Sequence, residues 1–199
     1  MHAEARDFTL FVKQLFPDFF NSINKVLDVG SGDINGNNRF LFNPRSEYHG
    51  NDVYAARNVT IVSKTKDLPF PDETFDVIVS TECFEHDPEY EQSFRKILKM
   101  LKPGGLFVFT CASTKRPEHG TRRTSRGDSY GTIAGIPDMQ DYYKNLTIQD
   151  VETCIDLSVF KTKAAYYNMR ACDLYFYGIK SDESRSLPAY ITQHVIRTM

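Results

Sequence analysis

The sequence predicts a single α/β domain built on a mostly parallel sheet, and three observations predict it. Short apolar runs alternate with segments of helical period, the pattern of strands joined by crossovers. The residues able to do chemistry (Gly30–Gly32, Asp52, Lys64–Asp67, Glu82–His86 and the stretch 113–146) all follow predicted strands, where sheets of this kind bind ligands. The length, 199 residues, suits one domain with a full core.

The elements follow in order. Phe8, Phe11, Val12, Leu15 and Phe16 recur at helical spacing, and Pro17 stops that helix. "KVLDV" (25–29) reads as a strand ending in "GSGDING", and "EYHGND" (47–52), "VTIV" (59–62) and "FDVIVS" (75–80) as the next three. The second and third are too close in sequence for a crossover helix, which predicts a degenerate sheet edge with a very short third strand. Asp87 is placed to cap a helix with Pro88 at its first position. Its core face is Tyr90, Phe94, Ile97, Leu98 and Leu101, and "PGG" ends it. "LFVFTCA" (106–112) is a buried strand. A connection as long as 113–146 is uncommon inside a compact domain and is usually functional. A helix near 147–157 and strands near 159–167 and 171–179 follow, the strands joined tightly at Asn168–Arg170. The polar tail, 181–199, offers one amphipathic turn around Tyr190, Ile191 and Val195.

Composition bounds the function. The apolar share of 41% and charged share of 25% are those of an ordinary globular protein. A net charge of −2 predicts no general attraction to nucleic acid or anionic membrane. No apolar run approaches the roughly 20 residues that span a bilayer, and "MHAEARDFTLF" lacks a signal-peptide pattern. Cys83, Cys111, Cys154 and Cys172 form no CxxC pair, and Cys111 and Cys172 fall within predicted strands. Reduced core thiols and a cytoplasmic setting are the expectation.

Two stretches carry candidate chemistry. In "VLDVGSG" the glycines let backbone approach a ligand closely, and Asp52, some 20 residues on, can take both hydroxyls of a ribose. In "STECFEH" (80–86), Glu82, Glu85 and His86 stand at i, i+3 and i+4, which share one face of a helical turn. The cluster converges on one point if that turn forms; otherwise the acids are solvated and Asp87 merely caps.

The extended pattern "VLDVGSG…YHGNDV…DLPFPDETFDVIVSTECFEH…LKMLKPGGLFVFT" resembles the class I S-adenosylmethionine (SAM)-dependent methyltransferases, of the type-11 group, along residues 25–111. That resemblance implies a Rossmann-like sheet, mostly parallel with an antiparallel last strand, and helices on both faces. It divides the single domain into an N-terminal helix (1–24), a SAM-binding half (25–111), an acceptor-side loop (112–146), a C-terminal helix and strand hairpin (147–180) and a tail (181–199). It implies that Asp28, Gly30, Ser31 and Gly32 shape the methionine side of the cofactor site and that Asp52 takes the ribose. Leu68 and the backbone at Thr65 would border the adenine. Two positions depart from the pattern: Ile34 replaces the usual third glycine, and Lys64 stands where an acid commonly meets the adenine amino group.

The E-x-x-E-H run resembles one found at this point in ubiquinone-biosynthesis O-methyltransferases and small-RNA 3′-terminal 2′-O-methyltransferases. In the latter it binds a divalent cation, completed by a histidine from beyond the next strand; His119 in "RPEHGT" is the candidate here. The resemblance implies Glu82, Glu85, His86 and His119 as ligands of Mg²⁺ or Mn²⁺, with Glu85, His86 and His119 catalytic. His119 alone could instead be a general base. "KRPEHGTRRTSR" (115–126) holds five basic residues (Lys115, Arg116, Arg122, Arg123 and Arg126) and one acid, Glu118. In the acceptor loop of a near-neutral protein it suggests an anionic acceptor met by Arg122 and Arg123, with Tyr142 and Tyr143 able to stack on a sugar or base. The expected activity is O-methylation of a small hydroxylated acceptor. The alternatives are an RNA-end 2′-O-methyltransferase and a SAM-binding domain without activity. DNA is not expected: the position where amino-methylating DNA enzymes carry a Pro-Pro pair reads Ser80–Cys83, and no Pro-Cys nucleophile pair is present.

Overall fold

The computed structural model describes residues 1–182 and 196–198. Strand β1 (Lys25–Val29) is central, with β2 (Glu47–Asp52) and the two-residue β3 (Ile61–Val62) on one side and β4 (Phe75–Thr81) and β5 (Leu101–Ala112) on the other. Beyond β5 lie β7 (Asp173–Lys180), β6 (Phe160–Asn168) and β8 (Ile196–Thr198), giving the order β3-β2-β1-β4-β5-β7-β6-β8 among the described residues. All neighbours are parallel except those of β7, which runs against both β5 and β6. The antiparallel strand is therefore present but is followed by β8. The expected turn at Tyr190, Ile191 and Val195 lies outside the described residues.

Alternation along the central strands makes two apolar faces. Leu27, Val29, Ile78, Phe107 and Phe109 point to one, where α3 (Tyr90–Met100) and α5 (Ile148–Cys154) pack Phe94, Ile97, Ile148 and Val151. Val26, Val77, Val79, Leu106 and Val108 point to the other, covered by Phe8 and Val12 of α1 (Ala3–Leu15) and by Phe20 of α2 (Asp18–Asn21). Both faces are thus sealed, and ligand access is left to the carboxyl ends of the strands.

Three boundaries differ from expectation. Asp87 does hold the helix start, accepting from the Glu89 N–H at 2.8 Å and the Ser93 hydroxyl at 2.6 Å. Pro88, however, precedes α3 rather than opening it. The helix stops at Met100, and Leu101 through Gly105 form the irregular start of β5, where its register with β4 shifts. Cys172 lies in the turn between β6 and β7 at φ 59°, not in a strand. All four cysteines are free. No helix among the described residues is long and apolar enough to cross a membrane.

Candidate functional site

The turn after β1 is built around two glycines. Gly30 has φ 71°, and a β-carbon there would lie 2.5 Å from Cys83 Sγ. A β-carbon on Gly32 would lie 2.1 Å from the Tyr130 ring and 2.8 Å from Asp52 Oδ2. Only bare backbone fits at either position. The Gly32 N–H donates to Asp52 Oδ2 at 2.9 Å, and the Val53 N–H donates to Oδ1 at 2.7 Å. Asp52 therefore stands beside the glycine turn at the end of β2, as expected, and burial pushes its carboxyl up to about 6.

Asp28 is fully buried, accepting from Asn38 Nδ2 at 2.9 Å and from the Tyr48 hydroxyl. Burial raises it to about 6 despite those bonds. Asn38, which the sequence did not single out, also donates to Thr81 Oγ1 at 3.1 Å and leaves its own buried carbonyl oxygen without a partner. Thr65 donates to Asn51 Oδ1 at 3.0 Å. Ser31 is buried, its N–H donating to the Asn51 carbonyl at 2.9 Å. Leu68 is a correction: it is 2% exposed and belongs to the apolar core beneath the sheet, because the short 3₁₀ turn at Thr65–Asp67 directs it inward.

The acidic cluster divides. Glu82 has φ 54°, and the one helical turn here is a 3₁₀ turn confined to Phe84–His86. The i, i+3, i+4 face requires a helix running from Glu82, so Glu82 points elsewhere. Its carboxylate accepts from the Thr110 hydroxyl at 2.8 Å and lies 3.2 Å from His2 Nε2. His2 is also 3.0 Å from Asp173 Oδ2, and Asp173 pairs with Arg116 at 3.0 Å. Burial opposes charge on His2, but Asp173 and Glu82 outweigh it and push the imidazole up to about 10. Burial likewise works against the Glu82 carboxylate, yet His2 and Thr110 hold it below its ordinary range.

Glu85, His86 and His119 do come together. Each offers one ligand atom within 4.8 Å of the other two. The histidine rings meet edge to face at 5.0 Å, and the Tyr143 ring lies 4.9 Å from His119. Both Glu85 oxygens, His86 Nδ1 and the Tyr143 hydroxyl are buried without a hydrogen-bond partner. Such unpaired buried groups are uncommon in folded proteins. Burial drives the Glu85 carboxyl well above its ordinary value and drops the His86 imidazole to about 3.

One cavity of about 380 Å³ joins the two sets, lined by Asp28, Gly30, Gly32 and Asp52 together with Glu82, His86 and His119. That volume is within the usual range for a small-molecule site. Glu85 sits behind its wall. Lys64, also on the wall, donates to Glu89 at 2.6 Å and to Asp138 at 2.5 Å. Ile34 is on the wall too, yet 40% exposed.

The basic run is the second correction. Arg122 pairs with Asp141, and Arg123 with Glu118 at 2.9 Å. Neither arginine lines the cavity, nor does Tyr142 or Tyr143. Acids of the same loop neutralise the charges that seemed free in sequence. Of the run's basic residues only Arg116 reaches the wall, with Pro117, Glu118 and His119 beside it. His2, Tyr130 and Asp173 escaped the sequence reading, and Arg116 was read only as one charge of the basic run, since nothing local marks residues that meet only through the fold.

Residues 27–109 match the family described as a methyltransferase domain. The chain is 24% identical over 196 residues to a probable methyltransferase of Arabidopsis thaliana, PMT22, covering 81% of this chain and 32% of that protein. It is 29% identical over 145 residues to the sterol 24-C-methyltransferase erg6 of Aspergillus fumigatus, covering 62% and 37%. The chain thus spans about a third of the length of these relatives. In fold it is similar to the 1,6-didemethyltoxoflavin-N1-methyltransferase of Burkholderia thailandensis, a structure with bound S-adenosylhomocysteine. The TM-score there is 0.61 and the identity 14%, over 90% of this chain and 79% of that one. Residues 27–109 therefore resemble a methyltransferase domain, and the chain has the Rossmann-like fold of solved methyltransferase structures.

Proposed function

We propose that the chain is a SAM-dependent O-methyltransferase acting on a small hydroxyl acceptor, with a divalent cation at Glu85, His86 and His119. The observation that carries this reading is the single cavity shared by the glycine turn, Asp52 and the histidine pair. Asp52 and the Gly30–Gly32 backbone would hold the ribose and methionine portions of the cofactor, with Asp28 behind them. When bound, SAM supplies an electrophilic methyl group, and a cation lowers the pKa of a hydroxyl that it binds. The donor set fits Mg²⁺ or Mn²⁺ in part: one carboxylate and two imidazoles. Glu85 and His86 are buried and His119 half-buried at the cavity wall, which supports positioning of an acceptor oxygen there.

Pairing of Arg122 and Arg123 within the loop removes the support for an anionic acceptor or an RNA end. Lys64 and Ile34 leave the cavity open, which weighs against a domain without a cofactor. Calorimetry with S-adenosylhomocysteine (SAH) and, separately, with Mn²⁺ tests the two halves. Micromolar SAH binding that survives EDTA, and Mn²⁺ binding lost in Glu85→Gln, are the expected results. Absence of SAH binding at millimolar concentration would overturn the cofactor assignment. Full methyl transfer in EDTA would overturn the metal and leave His119 as the base.

A further inference from the structure

We propose that Tyr130 is a cofactor-positioning residue, whose ring closes over SAM bound at the glycine turn after β1. The inference rests on reading that cavity as the SAM site. Tyr130 opens the short helix α4 (Tyr130–Ile133), carried by the long loop between β5 and α5. Its ring packs directly on Gly32, where a β-carbon would come within 2.1 Å of it. It also stacks on Tyr54, two residues past Asp52, with centroids 5.8 Å apart and planes 25° apart. The ring is half-buried and lines the cavity beside Asp52. The bareness of Gly32 thus serves an aromatic ring delivered by a distant loop as well as the cofactor.

The loop around Tyr130 is anchored on both sides. Ser129 and Thr132 are buried, and the Thr132 hydroxyl donates to the Gly120 carbonyl. Gly131 packs on Met139, and Asp138 is tied to Lys64. An aromatic face held in this way suits a cationic ligand, because the ring quadrupole attracts positive charge, and SAM carries a sulfonium. Covering the turn also keeps water out of the cofactor half of the cavity.

The test is SAH and SAM calorimetry on wild type, Tyr130→Phe and Tyr130→Ala, with Mn²⁺ titration of each cofactor-free protein. Tyr130→Phe should bind within about two-fold of wild type and Tyr130→Ala about ten-fold more weakly, the larger loss falling on cationic SAM. Mn²⁺ affinity should be unchanged in all three. Equal or tighter SAM binding by Tyr130→Ala would overturn the proposal, since the ring would then be idle or in the cofactor's place. In the wild-type protein, SAH should slow tryptic cleavage at Arg122, Arg123 and Arg126, and unchanged cleavage would count against closure. Wild type that binds no SAH at all would instead remove the cofactor reading itself, with this proposal along with it.

Discussion

Asp28 and Asp52 carry the tension between folding and binding at the level of single residues. Both carboxyls are pushed up to about 6 by burial, so each holds its proton more tightly in the folded chain than in the unfolded one. The sign follows: this contribution to stability is complete below about pH 4 and is lost as pH rises through about 6. Asp28→Asn should therefore raise the melting temperature at pH 8 but not at pH 4. The expected gain is on the order of 1–3 kcal/mol, measurable by thermal denaturation at both pH values. A drop in stability at pH 8 would mean that the Tyr48 and Asn38 bonds outweigh the buried charge. Asp52→Ala should weaken SAH binding about ten-fold, the loss of a charge-assisted bond of about 1.5–3 kcal/mol. Unchanged affinity by calorimetry would remove Asp52 from the ribose site.

At the scale of elements, what was legible followed periodicity and what was not depended on single backbone angles or distant partners. Strands β1, β4 and β5, the stub at β3 and the β6–β7 hairpin were readable because each carries an apolar stretch bounded by turn residues, whereas the polar β2, EYHGND, was readable from its place in the extended family pattern. Convergence of His119 with Glu85 and His86 was implied by the resemblance, which places a histidine from beyond the next strand at this site. Glu82 was misplaced because a φ of 54° at one non-glycine residue leaves no periodic signature. The arginines were misread because Asp141 lies 19 positions from Arg122. The same loop yields a prediction at this scale. Gly120 has φ 69°, and a β-carbon there would lie 2.6 Å from His86 Cε1. Gly120→Ala should combine backbone strain of about 1 kcal/mol with displacement of the imidazole. Mn²⁺ affinity should fall about ten-fold or more, read by calorimetry. Retained affinity would show that the loop yields there and that His86 is positioned by its own turn.

For the molecule as a whole, the loop between β5 and α5 touches both halves of the cavity. Through Tyr130 it rests on the glycine turn, and through Gly120 and His119 it packs on His86. The Thr132 hydroxyl, on the Gly120 carbonyl, links these two contacts directly. A segment ordered by one ligand then costs less to order for the other, which makes the two binding events cooperative. SAH at saturation should tighten Mn²⁺ binding about five-fold, a coupling of ~1 kcal/mol, and Mn²⁺ must tighten SAH by the same factor. Titrating each ligand with and without the other measures both arms, and their agreement checks the linkage internally. Tyr130→Ala should abolish the coupling while leaving Mn²⁺ affinity in the absence of SAH untouched, because the variant removes only the cofactor end of the connection. Independent binding in the wild-type protein would mean that the loop is equally ordered with either site empty, and that the halves of the cavity share a wall but no energy.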